Sequence, residues 1–259
     1  MKINKAIRML LVCLAGAWLF NSQATAGTLI GSVIPLGFDT SRMTPDFFDL
    51  TVQGTLDWAK YGLDPDSAAF NQKSGVANQI TDKAPVGSTN TPYVGEIIGP
   101  AFSWSDGTPT PTGSGVQYSD YNYSLNNGLQ FTVAADTTTK FLLAYAGVWG
   151  GRLRCEAFLS DNSATGYTNN SVFTDVDDMI AGVFQLQFAA DSPGQFLTVQ
   201  LIVDQEGVDG MYTSANLQAA ALQAAPPPPE FVVPPASQTN YPGYAAQLTA
   251  TARGGLPLS

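Results

Sequence analysis

The chain has 259 residues, and its 11 Lys and Arg residues against 21 Asp and Glu residues give a formal net charge of −10 at pH 7. It contains no histidine, which excludes a Ser-His-Asp triad, a Cys-His pair and a histidine-ligated zinc site. The acidic balance argues against contact with nucleic acid phosphates or anionic lipid headgroups, so no nucleic acid partner is expected. The 25 Gly and 17 Pro residues favour an all-β extracellular module.

The first 26 residues have the organisation of a signal peptide. Three basic residues lie within the first eight positions, an apolar run follows from residue 9 to residue 20, and Ala24, Thr25 and Ala26 fit a cleavage site. A membrane anchor is the alternative, but this run is shorter than the roughly 20 apolar residues that a spanning helix needs. We therefore expect a signal peptide at 1–26, a secreted or cell-surface location and no membrane span in the mature chain.

The two cysteines restrict how the mature chain can be stabilised. Cleavage would remove Cys13 and leave Cys155 as its one thiol. An intramolecular disulfide is then impossible, although export would permit one. The sequence therefore predicts that packing of an apolar core stabilises the mature protein.

Residues 27–223 are predicted to form an all-β domain, because apolar and polar residues alternate in several segments between turn sequences. Residues 140–149 are apolar on both faces, which is typical of a central, covered strand. A last strand is predicted at 212–222, with a helix around 219–225 as the competing interpretation. Seven or eight strands without helical crossovers favour an antiparallel β-sandwich of jelly-roll type. The alternating segments are 51–58, 129–133, 152–160, 184–188 and 197–203.

Residues 224–230 are predicted to link two domains. Four consecutive prolines, Pro226–Pro229, lack backbone N–H donors and favour an extended polyproline II spacer. A proline-rich ligand for a recognition domain is the alternative. We therefore expect a second unit to begin at residue 231.

Five segments of the first domain carry a family resemblance: Gly54–Gly62, Ala101–Thr110, Phe131–Asp136, Gly147–Gly150 and Phe158–Asp161. With them, the region from Leu50 to about Leu222 resembles a bacterial extracellular β-sandwich module of the galactose-binding-like, carbohydrate-binding kind. The resemblance implies a sugar ligand. Such modules are attached to many secreted proteins, so the resemblance does not name that sugar.

The C-terminal residues 231–259 carry a second resemblance. Residues 231–243 and 246–258 resemble the opening strands of a bacterial immunoglobulin-like domain. The cysteine usual in the second strand of that family is missing, with Thr249 or Thr251 near its place, so no disulfide is implied. Because the chain stops at Ser259, we expect a truncated immunoglobulin-like domain from a longer multidomain protein. A tail that folds back onto the first domain is the alternative.

Aromatic residues are the candidates for glycan recognition, which uses a flat ring against the apolar face of a pyranose and polar groups for its hydroxyls. Trp58 shares the apolar parity of its segment and is expected in the core. For Trp104 and Trp149 the sequence allows either burial in the core or exposure on the surface. Tyrosines 118, 121 and 123 lie in a polar stretch that is either an exposed ligand surface or a surface cover. The candidate ligand-binding residues are Trp104, Trp149, Tyr118, Tyr121 and Tyr123, and the expected partner is a polysaccharide or cell-surface glycan.

Structural calcium is the one cofactor that the sequence suggests. Asp204, Glu206 and Asp209 offer hard oxygen ligands within six residues, as does the 174–178 stretch. Neither stretch has EF-hand spacing, and a water-facing acidic loop is the alternative interpretation. No other cofactor is expected.

Three functions follow, from different classes. The first is a non-catalytic carbohydrate-binding or adhesion module, and the second is a structural spacer that presents neighbouring immunoglobulin-like domains and binds nothing small. A glycoside hydrolase with paired carboxylates is the minor alternative, since that chemistry needs two acids about 5 to 10 Å apart. Sequence spacing does not establish such a distance, so we expect a protein that is not an enzyme.

Overall fold

The computed structural model describes residues 26–36, 45–64, 70–87, 92–96, 99–207 and 212–224, and the backbone of 230–233 and 251–253. Nineteen strands and one short helix lie in these ranges. They are β1 (Thr28–Leu36), β2 (Phe47–Asp49), α1 (Leu50–Gln53), β3 (Asp57–Tyr61), β4 (Phe70–Lys73), β5 (Ala84–Val86), β6 (Tyr93–Glu96), β7 (Ala101–Trp104), β8 (Gly107–Thr108), β9 (Gly113–Val116), β10 (Tyr118–Tyr123), β11 (Gly128–Ala135), β12 (Lys140–Trp149), β13 (Gly151–Leu159), β14 (Tyr167–Phe173), β15 (Met179–Ala189), β16 (Gln195–Glu206), β17 (Ser214–Ala224), β18 (Glu230–Val233) and β19 (Thr251–Arg253).

The strands form mostly antiparallel sheets, which confirms the all-β prediction. A nine-stranded sheet has the order β1-β15-β12-β17-β3-β4-β8, and β10 and β6 extend it from the other half of β17. A five-stranded sheet has the order β14-β13-β16-β11-β5. A small sheet of β2, β7 and β9 contains the parallel pair β2–β7. Because β10 and β3 pair with different halves of the same edge of β17, strands β12, β17, β10 and β6 lie side by side.

The main core lies between the nine-stranded and the five-stranded sheets. Phe184 and Leu142 enter it from the first sheet, and Phe131 and Leu201 enter it from the second. All four side chains are at most 1% exposed. The alternation of apolar and polar residues along the long strands therefore reflects the burial of one face of each sheet.

A second apolar cluster covers the outer face of the nine-stranded sheet. Trp58 and Tyr145 of that sheet pack against Leu50 of α1 and against Phe102 and Trp104 of β7. This covering layer explains why β12 (Lys140–Trp149) is apolar on both faces, as its sequence predicts. Trp58 is fully buried, which confirms its expected place in the core.

The prediction of one strand over residues 51–58 is wrong. Residues Leu50–Gln53 form α1, because Asp49 caps the helix by accepting a hydrogen bond from Val52 N at 3.2 Å. The helix ends at Gly54, and β3 begins only at Asp57. Val52 is 68% exposed rather than part of an apolar face.

The structure also decides between strand and helix around 219–225 and gives the number of strands. The alanine-rich segment around 219–225 continues strand β17 to Ala224, so the helical alternative fails there. Its small side chains are buried because both faces of β17 are covered. The expected seven or eight strands are too few, since short strands such as β5 and β8 offer only two or three residues for an alternating pattern.

Outside the first domain the structure describes one pair of strands, β18 and β19, which lie antiparallel with Glu230 opposite Arg253. Residues 1–25 of the predicted signal peptide and 225–229 of the predicted linker lie outside the described residues. Within the described ranges, no helix combines the length and apolar character needed to cross a bilayer.

Candidate functional site

Four adjacent strands, β12, β17, β10 and β6, bring aromatic and small polar residues onto one face. In their pairing, Trp149 lies opposite Ser214, Tyr121 lies opposite Asn216, and Tyr93 lies opposite Tyr121. Residues directly opposite each other in a sheet share a face. This face is the outer one, away from the main core, at a place beyond the apolar cover of β2, β7 and β9.

A cleft of about 250 Å³ opens on this face. Its volume is slightly below the about 300 to 1,000 Å³ that is common for small-molecule sites, so it suits one small ring. Its lining residues combine three aromatic side chains with polar and small ones. They are Gly95, Glu96, Tyr121, Trp149, Tyr212, Ser214 and Asn216.

Three tyrosines, Tyr93, Tyr121 and Tyr123, form a tyrosine row along one side of the cleft. The Tyr93 ring stacks on Tyr121, with centroids 5.7 Å apart and planes at 25°, and on Tyr123, at 5.1 Å and 29°. Tyr123 OH donates a hydrogen bond to Tyr93 OH at 2.9 Å, and this bond is the main reason that the pKa of Tyr123 is raised. Stacking holds these rings as a fixed surface.

Gly95 allows the Tyr121 ring to lie close to strand β6. A Cβ atom at this glycine would lie 3.1 Å from Cε1 and 3.7 Å from Cδ1 of Tyr121. The ring therefore occupies space that a side chain at position 95 would partly fill. The conformation of Tyr121 thus depends on both of its neighbours on β6.

Trp149 lies on the other side of the cleft, where β12 ends. Its Nε1 donates a hydrogen bond to Oδ1 of Asp177 at 2.6 Å. The indole is half-buried, with Met179 opposite it on β15. The Asp177 carboxylate therefore orients the indole ring while one side of the ring stays accessible.

Between these aromatic walls lies a polar floor, formed by Ser214 and Asn216, and buried Ser119 is in contact with Asn216. Asn216 Nδ2 donates to the carbonyl oxygen of Ser214 at 3.0 Å and to its Oγ at 3.2 Å. Ser119 Oγ donates to Asn216 Oδ1 at 3.2 Å. Among the described residues these bonds leave the hydroxyl hydrogen of Ser214 without an acceptor, so it can donate to a ligand. Glu96 also borders the cleft, but it lies opposite Tyr118 on β10, so alternation places its side chain on the face opposite to that of Tyr121.

Two of the five predicted ligand-binding aromatics, Trp149 and Tyr121, line the cleft, and Tyr123 lies beside it in the tyrosine row. Tyr118 does not join them. It is three residues from Tyr121 on the same strand, so its side chain points to the opposite face of the sheet. Its backbone carbonyl accepts a hydrogen bond from Lys60 Nζ at 2.5 Å.

Trp104 is also separate from the cleft, because it is packed into the outer apolar cluster with only 4% of its surface exposed. Its ring contacts Trp58, with centroids 5.7 Å apart, and its Nε1 donates to the carbonyl oxygen of Thr110 at 2.9 Å. A Cβ atom at Gly113 would lie 2.4 Å from the indole. With both ring faces occupied, Trp104 packs rather than displays its ring.

Sequence reasoning did not predict five of the seven lining residues as ligand-binding, namely Gly95, Glu96, Tyr212, Ser214 and Asn216. A signal for two of them existed, because Ser214 and Asn216 are polar residues at alternate positions at the start of an otherwise apolar strand. For Tyr212 no pattern was available. It is 79% exposed and adopts a positive φ of 40° just before β17 begins.

The predicted calcium ligands do not converge in the described residues. Asp204 Oδ1 lies 2.8 Å from Arg152 Nε, and Asp204 Oδ2 lies 3.9 Å from Arg154 Nη1, so arginines compensate this carboxylate. Glu206 is exposed at the end of β16, and Asp209 lies outside the described residues. Nowhere in the described ranges do three or more acidic or cysteine side chains form a group that could hold a metal ion. Calcium binding stays a prediction.

No protein-family model, no curated protein and no solved structure matches this chain. The cleft between Trp149 and Tyr121 brings aromatic side chains and hydrogen-bonding groups together.

Proposed function

We propose that this chain is a non-catalytic extracellular carbohydrate-binding or adhesion module of a larger secreted bacterial protein. One observation carries the proposal: Trp149 and Tyr121 stand on two sides of a cleft with a polar floor. Aromatic walls suit the C–H faces of a pyranose, while Ser214 and Asn216 suit its hydroxyls.

The chemistry of the cleft favours a neutral sugar over other small ligands. Apart from Glu96, the described lining residues carry no ionisable acid or base except tyrosine. An anionic ligand would meet the negative charge of the acidic chain as a whole. The volume of about 250 Å³ suits one sugar ring at a time, such as the end of a glycan chain.

The two family resemblances support the setting of this proposal. A galactose-binding-like jelly roll is a common carrier of sugar sites, although fold alone assigns no ligand. The immunoglobulin-like resemblance of residues 231–259 supports a longer chain with further domains, and the N-terminal pattern supports export.

A glycan array and pull-downs with insoluble polysaccharides test the proposal on the whole chain. We expect retention on at least one neutral glycan, and loss of retention in Tyr121→Ala and Trp149→Ala. The matched control is Phe196→Ala, since Phe196 is a 46% exposed aromatic residue on the other large sheet. Its variant should bind like the unmodified chain.

Three results would contradict this function. Absence of retention on every glycan would favour the structural spacer. Equal loss in all three variants would place binding elsewhere or reflect unfolding, which circular dichroism detects. Cleavage of a retained polysaccharide that disappears in Glu96→Gln would favour a glycoside hydrolase, which needs a second acid near Glu96.

A further inference from the structure

A buried lysine and a buried aspartate meet beneath strand β10. Lys83 Nζ lies 3.0 Å from Asp120 Oδ2, and the two side chains are 7% and 0% exposed. Lys83 precedes β5 of the five-stranded sheet, whereas Asp120 belongs to β10 of the nine-stranded sheet. The pair therefore spans the two main sheets.

The surroundings of Asp120 are not those of a well-formed buried ion pair. Neither of its carboxylate oxygens accepts a hydrogen bond of ordinary geometry. A buried carboxylate normally collects several such donors, because its desolvation is otherwise uncompensated. Burial accordingly raises the pKa of Asp120, against the lowering effect of Lys83. A raised pKa enlarges the share of the neutral acid, whose carbonyl carbon is electrophilic.

A second acid is in contact with the same amine. Asp82 Oδ1 lies 3.3 Å from Lys83 Nζ, and its side chain is 52% exposed. Asp82 can therefore take the proton of the ammonium group and return it to a leaving group. The other buried amine of this region, Lys60, is held by the carbonyl oxygens of Tyr61, Gly62 and Tyr118, each within 2.8 Å.

We propose that Lys83 and Asp120 condense into an intramolecular amide bond. The neutral amine of Lys83 attacks Cγ of the protonated Asp120 carboxyl, and a C–N bond forms. Asp82 carries the amine proton to the departing hydroxyl group, the C–O bond breaks, and one water molecule leaves. Nothing is oxidised or reduced, so no co-reactant is needed.

Such a bond would give the chain a covalent link of the two sheets that its cysteines do not supply, since Cys155 is a free, buried thiol. It would also replace two buried ionisable groups by a neutral amide, which removes the desolvation cost of their charged forms. The link would anchor strand β10, which carries Tyr121 and Tyr123. This inference concerns the scaffold and stands apart from the glycan proposal.

Intact-mass and tryptic peptide measurements on the denatured, purified chain test the bond. We expect the mass to be lower than that of the sequence by one water molecule, with a branched peptide that joins Lys83 to the segment containing Asp120. Trypsin should fail to cut after Lys83. In Lys83→Arg and Asp120→Ala the full mass should return, and Asp82→Asn should slow the loss of water.

An internal control is the ion pair between Lys73 Nζ and Asp106 Oδ2 at 2.6 Å. Asp106 Oδ1 also accepts hydrogen bonds from Thr51 and Trp58, and the side-chain bonds of Lys73, Thr51 and Trp58 lower the pKa of Asp106 despite partial desolvation. This pair should stay uncondensed, and trypsin should cut after Lys73. A full-mass unmodified chain overturns the proposal without any variant. So does a loss of water that persists in Lys83→Arg, as a succinimide at Asp106-Gly107 would give.

Discussion

Tyr121 lies directly opposite Asn216 where strands β10 and β17 pair. The ring and the amide therefore share one face, and on that face the ring forms a wall and the amide a floor. Tyr93, opposite Tyr121 on its other side, stacks against it and limits its motion. Strand pairing alone thus converts residues that are far apart in sequence into a pre-formed surface, which lowers the entropic cost of binding.

The bond between Trp149 and Asp177 gives a first prediction, which rests on the proposed glycan function. Asp177→Ala removes the acceptor at 2.6 Å from the indole Nε1, so the ring gains freedom to rotate. We expect glycan affinity to fall roughly fivefold, as for loss of one hydrogen bond. The melting temperature should not change, because Asp177 is exposed. Titration calorimetry and thermal melting measure the two quantities.

Asp175→Ala is the control, because Asp175 is an exposed acid of the same loop. It removes the same charge without touching the indole. If both variants weaken binding equally, the acidic charge of the loop matters and the orientation of Trp149 does not.

The fate of the two tryptophans shows what the sequence could not reveal. Trp104 and Trp149 each end a strand, and each was open to packing or display. The difference lies in the outer cover of α1, β2, β7 and β9, because Trp104 belongs to this cover and packs against the sheet, whereas the cover stops short of Trp149. That cover depends on contacts between distant segments, and no local pattern reports them.

The tyrosines of β10 show the opposite case, in which the sequence held the answer. Tyr118 and Tyr121 are three residues apart, so alternation in a strand places them on opposite faces. Ser, Asp and Asn interrupt the tyrosines, and for this reason the sequence favours an exposed stretch, as a ligand surface or a surface cover. Those residues are buried polar groups: Ser119, Asp120 and Asn122 are at most 1% exposed. Buried polar strands mimic loops in sequence.

Long strands were predictable for a simple physical reason. The segment 140–149 was recognised within its observed bounds, because a central strand covered on both sides needs an unbroken apolar run. Short strands such as β5 and β8 depend on pairing with neighbours that the sequence does not identify. Strand β6, which borders the cleft, belongs to this second kind because it has only four residues.

A second prediction separates the structural tryptophan from the cleft. Trp104→Ala should destabilise the chain by about 3 to 5 kcal/mol, because it empties a buried site of large volume. Trp149→Ala should cost far less, since its indole is only half-buried. Urea denaturation followed by circular dichroism gives both values. Equal losses would show that Trp104 is not packed as described.

A third prediction concerns the main core. Leu201→Asp should prevent folding, because Leu201 is fully buried between the two large sheets and an unpaired charge there costs several kcal/mol, comparable to total stability. Gln205→Asp is the matched control on the same strand, at an exposed position. It should fold normally. Circular dichroism and size-exclusion chromatography distinguish the two outcomes, and a folded Leu201→Asp protein would contradict the described parity of β16.

The fourth prediction follows from Lys60, which is fully buried on β3 and donates hydrogen bonds to three backbone carbonyls. Desolvation lowers its pKa from 10.5 to about 7, opposed by the charge of Asp120. Between these two values the unfolded chain binds a proton that the folded chain lacks. The free energy of unfolding contributed by this group therefore rises with pH from about 7 towards 10.

Urea denaturation at several pH values between 7 and 9 measures this slope. Above that range the buried thiol of Cys155, whose pKa is raised from 9.0 by desolvation, contributes in the opposite direction. Lys60→Met should lose stability and flatten the slope, because it removes the titrating amine. Leu201→Ala loses stability without a titratable group and should keep the slope of the unmodified chain. A slope that survives in Lys60→Met would assign the pH dependence to another residue. If Lys83 condenses with Asp120, the charge of Asp120 no longer opposes the lowering of the Lys60 pKa, and stability should still rise with pH.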